Sequence, residues 1–296
     1  MNVIACENLT KRQGKENTLH DLSFTLKDKS ITGLIGRNGA GKTTLLKILA
    51  GLWRETSGEV SVFSEKPFNS MLVSANSIYI DDQMAFPTAL TLSELLKEGE
   101  RFYGNWNMKL AERLFEYFSF HPNQIHNTLS KGKKSTFNMI VGLASRCELT
   151  MFDEPTTGMD AAVRNDFYRA LLKDYLAHPR TFLISSHHLD EIEDLLEDIL
   201  LIEDGEKVLQ LPMDDLKEYA VGLTGRTEIV RQWAMNKEVL YTQEIDLNST
   251  YVVIKNGYFE VENAKRLGIN VSPVSSSDVC VYLTNKKKGG IDDVFK

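Results

Sequence analysis

Short apolar stretches alternate with one amphipathic run over the first sixty or so residues. NVIACEN, HDLSFTL, SITGLIG and GEVSVF have the length and composition of strands, whereas KTTLLKILAGL spaces its apolar positions for a helix. From Leu92 to Ser145 the pattern changes. LSELLKEGERFY and KLAERLFEYF carry apolar residues at i, i+3, i+4 and i+7 with no strand-like run between them, which predicts a helical insertion. After it, LTMF, DAAVRNDFYRALLKDYL, TFLISS, HLDEIEDLLED and ILLIEDGEKVLQ predict strand, helix, strand, helix and hairpin, the order of a parallel sheet with crossover helices. Beyond Tyr219, VLYTQEI and TYVVIKN read as strands divided by a turn at LNS, and FEVENAKRLG reads as a short helix. The expected fold is α/β: a mixed-sheet core over residues 1–220, a helical subdomain within it at about 84–148, and a small α+β domain over 221–296.

Composition narrows the function classes. The chain has 296 residues, 42% hydrophobic and 25% charged, enough for one large core and a second smaller one. No window reaches the eighteen or so apolar residues of a membrane-spanning helix, and MNVIACENLTKR lacks the features of a secretory signal, so a cytoplasmic location is expected. Cys6, Cys147 and Cys280 have no metal-knuckle spacing and are expected to be reduced and buried. A formal net charge of -7 argues against sequence-independent nucleic-acid binding, and the basic run NKKKGG reads as solvated tail.

The sharpest chemical signal is GRNGAGKTT, Gly36 to Thr44, which matches G-x-x-x-x-G-K-[ST] between a predicted strand and a predicted helix and so points to a P-loop NTPase. Gly36, Gly39 and Gly41 let the backbone approach phosphate oxygens. The N–H groups of this loop, with Arg37, Asn38, Ala40 and Thr44 among its members, form an anion cradle at a helix N-terminus. Lys42 reaches the β- and γ-phosphates and Thr43 offers a hydroxyl to Mg²⁺. In MFDEPTTG, an apolar strand ends on two carboxylates: Asp153 can orient the Mg²⁺ shell, and Glu154 can orient or deprotonate the attacking water. His187 and His188 follow TFLISS, where a histidine could either cap the next element or contact the γ-phosphate.

The ordered set GRNGAGKT, LSKGK, LTMFDEP, TGMD and SSH, covering roughly the first 215 residues, resembles the ATP-binding subunit of an ABC transporter. The resemblance implies ATP and Mg²⁺ as cofactors, with Lys42 and Thr43 in the Walker A loop, Asp153 and Glu154 in Walker B, Asp160 in the D-loop, and His187 at the switch position. It further implies a head-to-tail pair of cassettes, homodimer or heterodimer. Each ATP is then held between one phosphate loop and the partner's signature segment, usually LSGGQ. Here LSKGK, Leu129 to Lys133, takes that place: Ser130 and the Gly132 amide should grip the partner's γ-phosphate, while Lys131 and Lys133 replace a glycine and the glutamine.

Two further departures stand out. Gln13 aligns where the family places an adenine-stacking aromatic residue. In SIYIDDQMAFPTALT, Asp82 aligns with the family's metal-contacting glutamine and Gln83 lies beside it, so either could take that role; an aspartate remains an oxygen ligand for Mg²⁺.

The implied activity is ATP hydrolysis driving a separate integral membrane subunit from the inner face of the membrane. LSKG signatures, FYGNWNMKLAERLFEYF and the tail PVSSSDVCVYLT resemble exporter ATPases for drug-like or peptide substrates, a phenol-soluble-modulin exporter being one example. The alternatives are a regulatory cassette of low intrinsic hydrolysis within a heterodimer, and a soluble non-transport ABC protein.

Overall fold

The structure, a computed structural model, describes residues 2–14, 16–257 and 261–285. Lys286 to Gly290 of NKKKGG and the start of FEVENAKRLG lie outside the described residues. Contacts divide the chain into two compact units, Met1–Gln210 and Leu211–Lys296.

The first unit is built on β3 (Ile31–Ile35), β6 (Leu149–Asp153) and β7 (Thr181–Ser186), every residue of which is buried. Strands covered on both faces read as continuous apolar runs, which is why these segments show no alternation. With β5 (Ser77–Ile80), β8 (Asp198–Glu203) and β9 (Glu206–Pro212) they form a six-stranded sheet in the order β5-β6-β7-β3-β8-β9, parallel from β5 through β8. A second, antiparallel sheet holds β1 (Asn2–Gln13), β2 (Glu16–Lys27) and β4 (Ser57–Val62) in the order β2-β1-β4. Bulges interrupt the pairing of β1 with β2, so the two strands run as a longer twisted ribbon than NVIACEN and HDLSFTL suggest. The helix α1 (Lys42–Leu49) buries Leu45, Leu46, Ile48 and Leu49 in the same core as Leu9, Leu22 and Met151.

A short helix α2 (Met71–Asn76), which the sequence pattern does not announce, leads into β5. The helical subdomain then comprises α3 (Leu92–Phe102), α4 (Met108–Tyr117) and α5 (Lys131–Ser145). Each start is set by a cap: a Thr91–Glu94 capping box for α3, Asn107 for α4 and Ser130 for α5. Asp160 caps α6 (Ala161–Ala177) in the same way.

HLDEIEDLLED is not the α-helix its apolar content predicts but two 3₁₀ turns, Leu189–Glu191 and Glu193–Leu195. Leu189, Ile192 and Leu195, all buried, lie three apart, a spacing that lines them up on one face of a chain wound at three residues per turn.

The second unit opens with α7 (Met213–Lys217) and continues as β10 (Ala220–Arg226), α8 (Thr227–Ala234), β11 (Val239–Glu244), β12 (Ser249–Lys255), α9 (Val261–Arg266) and β13 (Asn270–Pro273), closing on α10 (Ser276–Thr284). Its antiparallel sheet runs β11-β12-β10-β13. That connectivity is a ferredoxin-like β-α-β-β-α-β unit with the first strand central. Leu223, Val230, Val252, Ile254 and Ala264 form its own core.

Candidate active site

Strand register assembles the site. The parallel pairing sets Ile35 opposite Ser186 and Asp153 opposite Ser185, so β3, β6 and β7 deliver the phosphate loop, the two carboxylates and His187 to one edge of the sheet. This is the edge at which parallel α/β sheets bind ligands. Gly41, the N-cap of α1, has φ 102°, and a Cβ there would sit 2.7 Å from the Thr18 carbonyl oxygen. Gly39, at φ 89°, turns the loop without touching a neighbour. Gly36 serves packing, since a Cβ would meet the Ile202 carbonyl oxygen at 2.4 Å.

Lys42 is 6% exposed; its Nζ donates to the Gly36 carbonyl at 2.7 Å and stands 3.1 Å from Glu154 Oε1. Glu154 Oε2 lies 2.7 Å from His187 Nδ1, and the Glu154 N–H donates to Ser185 Oγ at 2.9 Å. Glu154 itself occupies the left-handed region at φ 47°, uncommon for a residue with a side chain, and an observed strain held in place by these three partners.

Asp153, beside it, is 5% exposed. Its Oδ1 accepts from Ser185 Oγ at 2.6 Å and its Oδ2 from the Tyr79 hydroxyl at 3.0 Å. Burial, and then the nearby Asp153 and Asp81 carboxylates, push the Tyr79 phenol well above its ordinary pKa, so it remains a proton donor. Sequence reasoning missed Tyr79 and Ser185. The signal was there for Ser185: a serine in a strand short and apolar enough to be buried on both faces must find a partner.

A cavity of about 250 Å³ beside the phosphate loop is lined by Arg37, Asn38, Gly39, Gly41, Lys42, Thr43 and Thr44, with Thr18 from β2 facing them. Ala40 is buried beneath the loop. Gln13, at the exposed end of β1, does not line this cavity; Thr18 is the residue this ribbon contributes. An adjoining cavity of about 310 Å³ carries Thr43, Asp82, Asp153, Glu154 and His187, and Gln83 lines it as well. Thr43, Asp82 and Asp153 are all oxygen donors, the chemistry a hard cation such as Mg²⁺ requires, so the residues fit that ion.

The signature residues lie elsewhere. Ser130 and Gly132 line a separate cavity of about 240 Å³ with Asp160, and are not brought to the phosphate loop of their own chain. The Ser130 Oγ accepts from the Lys133 N–H at 3.4 Å, leaving its proton free to donate. Gly132 is there for space, since a Cβ would lie 2.3 Å from the Gly158 carbonyl oxygen. Lys133 lines the same cavity, and its Nζ is held at one wall: it donates to the Phe118 carbonyl at 2.6 Å and sits 4.7 Å from the Phe120 ring centroid, a cation at the C-terminus of α4. His188 packs its ring 3.9 Å from that of His187.

A phosphate loop with two adjacent carboxylates and a histidine at the same edge of a parallel sheet is the arrangement of a P-loop ATPase. Comparison narrows the class. The family described as ABC transporter matches residues 19–157. The bacitracin transport ATP-binding protein BcrA of Bacillus licheniformis is 30% identical over 219 residues, covering 73% of this chain and 72% of that protein. An uncharacterized ABC transporter ATP-binding protein, YcbN of Bacillus subtilis, is 29% identical over 305 residues, covering 99% of this chain and 95% of its own length. Among solved structures, an ATP-binding subunit of an ABC transporter matches with a TM-score of 0.65 at 23% identity, over 73% of this chain and 92% of that one. The chain belongs to the ABC transporter family, as one of its ATP-binding, ATP-hydrolysing proteins.

Among the described residues no helix is long and apolar enough to cross a membrane. Cys6, Cys147 and Cys280 are buried thiols, and burial raises the Cys147 pKa to about 11.

Proposed function

We propose that this chain hydrolyses ATP as one of two head-to-tail cassettes and thereby powers export through a separate membrane-spanning subunit. The observation that carries this reading is the Lys42–Glu154–His187 constellation at the mouth of the phosphate loop. The cradle of residues 36–44 binds the phosphates, and Lys42 meets the β- and γ-oxygens. Mg²⁺, held by Thr43, Asp153 and Asp82, would supply charge neutralisation at those oxygens. Glu154 orients and deprotonates the attacking water, and His187 fixes the Glu154 carboxylate. Ser130 and the Gly132 amide act on the partner's nucleotide, which accounts for their separate cavity.

A groove for the membrane subunit adjoins the loop that follows β5 and carries Asp82 and Gln83. An apolar cavity of about 440 Å³ is lined by Met84, Phe86, Leu90, Leu95, Phe102 and Tyr103, with Phe102 78% exposed. A cleft of this size takes the apolar face of a short helix. A chain docked there would lie on the cytoplasmic face of the membrane. The likeness to a protein named for bacitracin transport supports a drug-like or peptide substrate, phenol-soluble-modulin-type peptides included.

The test is recovery of the tagged chain from its native membrane with identification of what accompanies it. An integral membrane protein is expected in stoichiometric amount, and Phe102→Glu should lose it. Recovery with ribosomes or soluble proteins alone would overturn the transport reading.

A further inference from the structure

Two of the family's neutral positions carry charge in this chain, and the structure puts the two charges in contact. Lys131, where the signature pattern has glycine, places its Nζ 3.3 Å from Asp82 Oδ2, where the pattern has glutamine. Both belong to the same chain. Lys131 is the first residue of α5, and Asp82 lines the cavity that holds Thr43, Asp153 and Glu154.

The contact is one of several that fasten this end of α5 to the active-site loops. Asn138, seven residues on and so on the same face of the helix, donates its Nδ2 to the Asp81 carbonyl at 3.2 Å. Its Oδ1 is held in turn by the buried His126 Nε2 at 2.7 Å. Ser135 Oγ donates to the Thr157 carbonyl at 3.0 Å, three residues beyond Glu154. The loop at 81–83 is thus pinned at Asp81 by its backbone and at Asp82 by a charge.

The electrostatic reason for that charge is plain. Asp81, Asp82, Asp153 and Glu154 all line one cavity; of the cations near them, Lys42 is already opposite Glu154, and Lys47, which lines the same cavity, has its Nζ 5.0 Å from the Trp53 ring centroid. A fourth carboxylate aimed at a tetra-anionic nucleotide is repulsive unless it is neutralised. We propose that Lys131 is a positioning residue for the chain's own nucleotide site: it neutralises and holds Asp82, so that the lysine and aspartate together replace a neutral glycine and glutamine without changing the net charge. This rests on the ATP-binding reading above. The pair also joins the nucleotide cavity to the signature helix that the chain offers to a second cassette.

The experiment is the affinity of the purified chain for a fluorescent methylanthraniloyl-ATP in EDTA, at low protein concentration. Lys131→Met should weaken binding about threefold, the scale of a partly exposed ion pair. Lys131→Arg should retain the wild-type value, and Asp82→Asn combined with Lys131→Met should return to it. The differences should vanish in 0.5 M NaCl, where the Debye length is about 4 Å. Amide exchange of residues 81–84 should quicken in Lys131→Met and not in Lys131→Arg. A double variant as weak as Lys131→Met alone, or no effect of Lys131→Met on either readout, overturns the proposal. Failure of the wild-type chain itself to bind the nucleotide would instead overturn the reading on which the proposal rests.

Discussion

Lys42 Nζ stands 3.1 Å from Glu154 Oε1, so the phosphate-binding cation and the proposed base neutralise each other. The second oxygen of Glu154 is taken by His187 at 2.7 Å. A nucleotide entering the loop must draw Lys42 away from Glu154, and that frees the carboxylate for water. Glu154→Gln removes the competing charge. It should therefore bind ATP several-fold more tightly than the wild type in EDTA, a shift of about 1 kcal/mol for one partly exposed pair, read by equilibrium dialysis.

Tyr79 and Ser185 each donate to one oxygen of Asp153 and so fix which lone pairs face the cavity. Hydrogen bonds to a charged group are worth about 1.5–3 kcal/mol. Tyr79→Phe and Ser185→Ala should each weaken Mn²⁺ affinity of the nucleotide complex by about tenfold, measured by electron paramagnetic resonance. Nucleotide affinity in EDTA should change little. Equal Mn²⁺ affinity would show that Asp153 holds its orientation without them.

Gly132 faces the Gly158 carbonyl with no room for a methyl group. Gly132→Ala should destabilise the first unit by about 1–3 kcal/mol through backbone displacement, visible as a lowered calorimetric transition. An unshifted transition would assign Gly132 to ligand contact alone.

Ser130 and Lys42 lie in different cavities of one chain, which predicts complementation between inactive variants. Lys42→Ala and Ser130→Arg should each lack turnover, and mixing them should restore a measurable fraction, because one composite site per mixed pair is intact. A mixture as inactive as its parts would mean that the site is complete within one chain.

Much of this was legible in the sequence because the signals are local. The loop Gly36–Thr44, the carboxylates ending LTMFD and the histidine after TFLISS are each contiguous with a strand, and parallel register carries them to one edge. Ser130 was named through its place in the signature segment, and its role as the cap of α5 emerged only with the structure. What escaped was non-local. Tyr79 is 74 residues from Asp153, and nothing in SIYI distinguishes its hydroxyl from an ordinary surface tyrosine. Lys131 and Asp82 read as two unrelated departures until the fold set them side by side. HLDEIEDLLED misled because spacings of three and of 3.6 residues are indistinguishable over so short a run. The ferredoxin-like order of the second unit was hidden because strand order depends on pairings distant in sequence.

Hydrolysis of ATP with Glu154 as the proposed base is read out by phosphate release from the purified protein with ATP and Mg²⁺. Steady turnover is expected in the wild type and a loss of about a hundredfold or more in Glu154→Gln, with ATP still bound. Turnover unchanged in Glu154→Gln would contradict it.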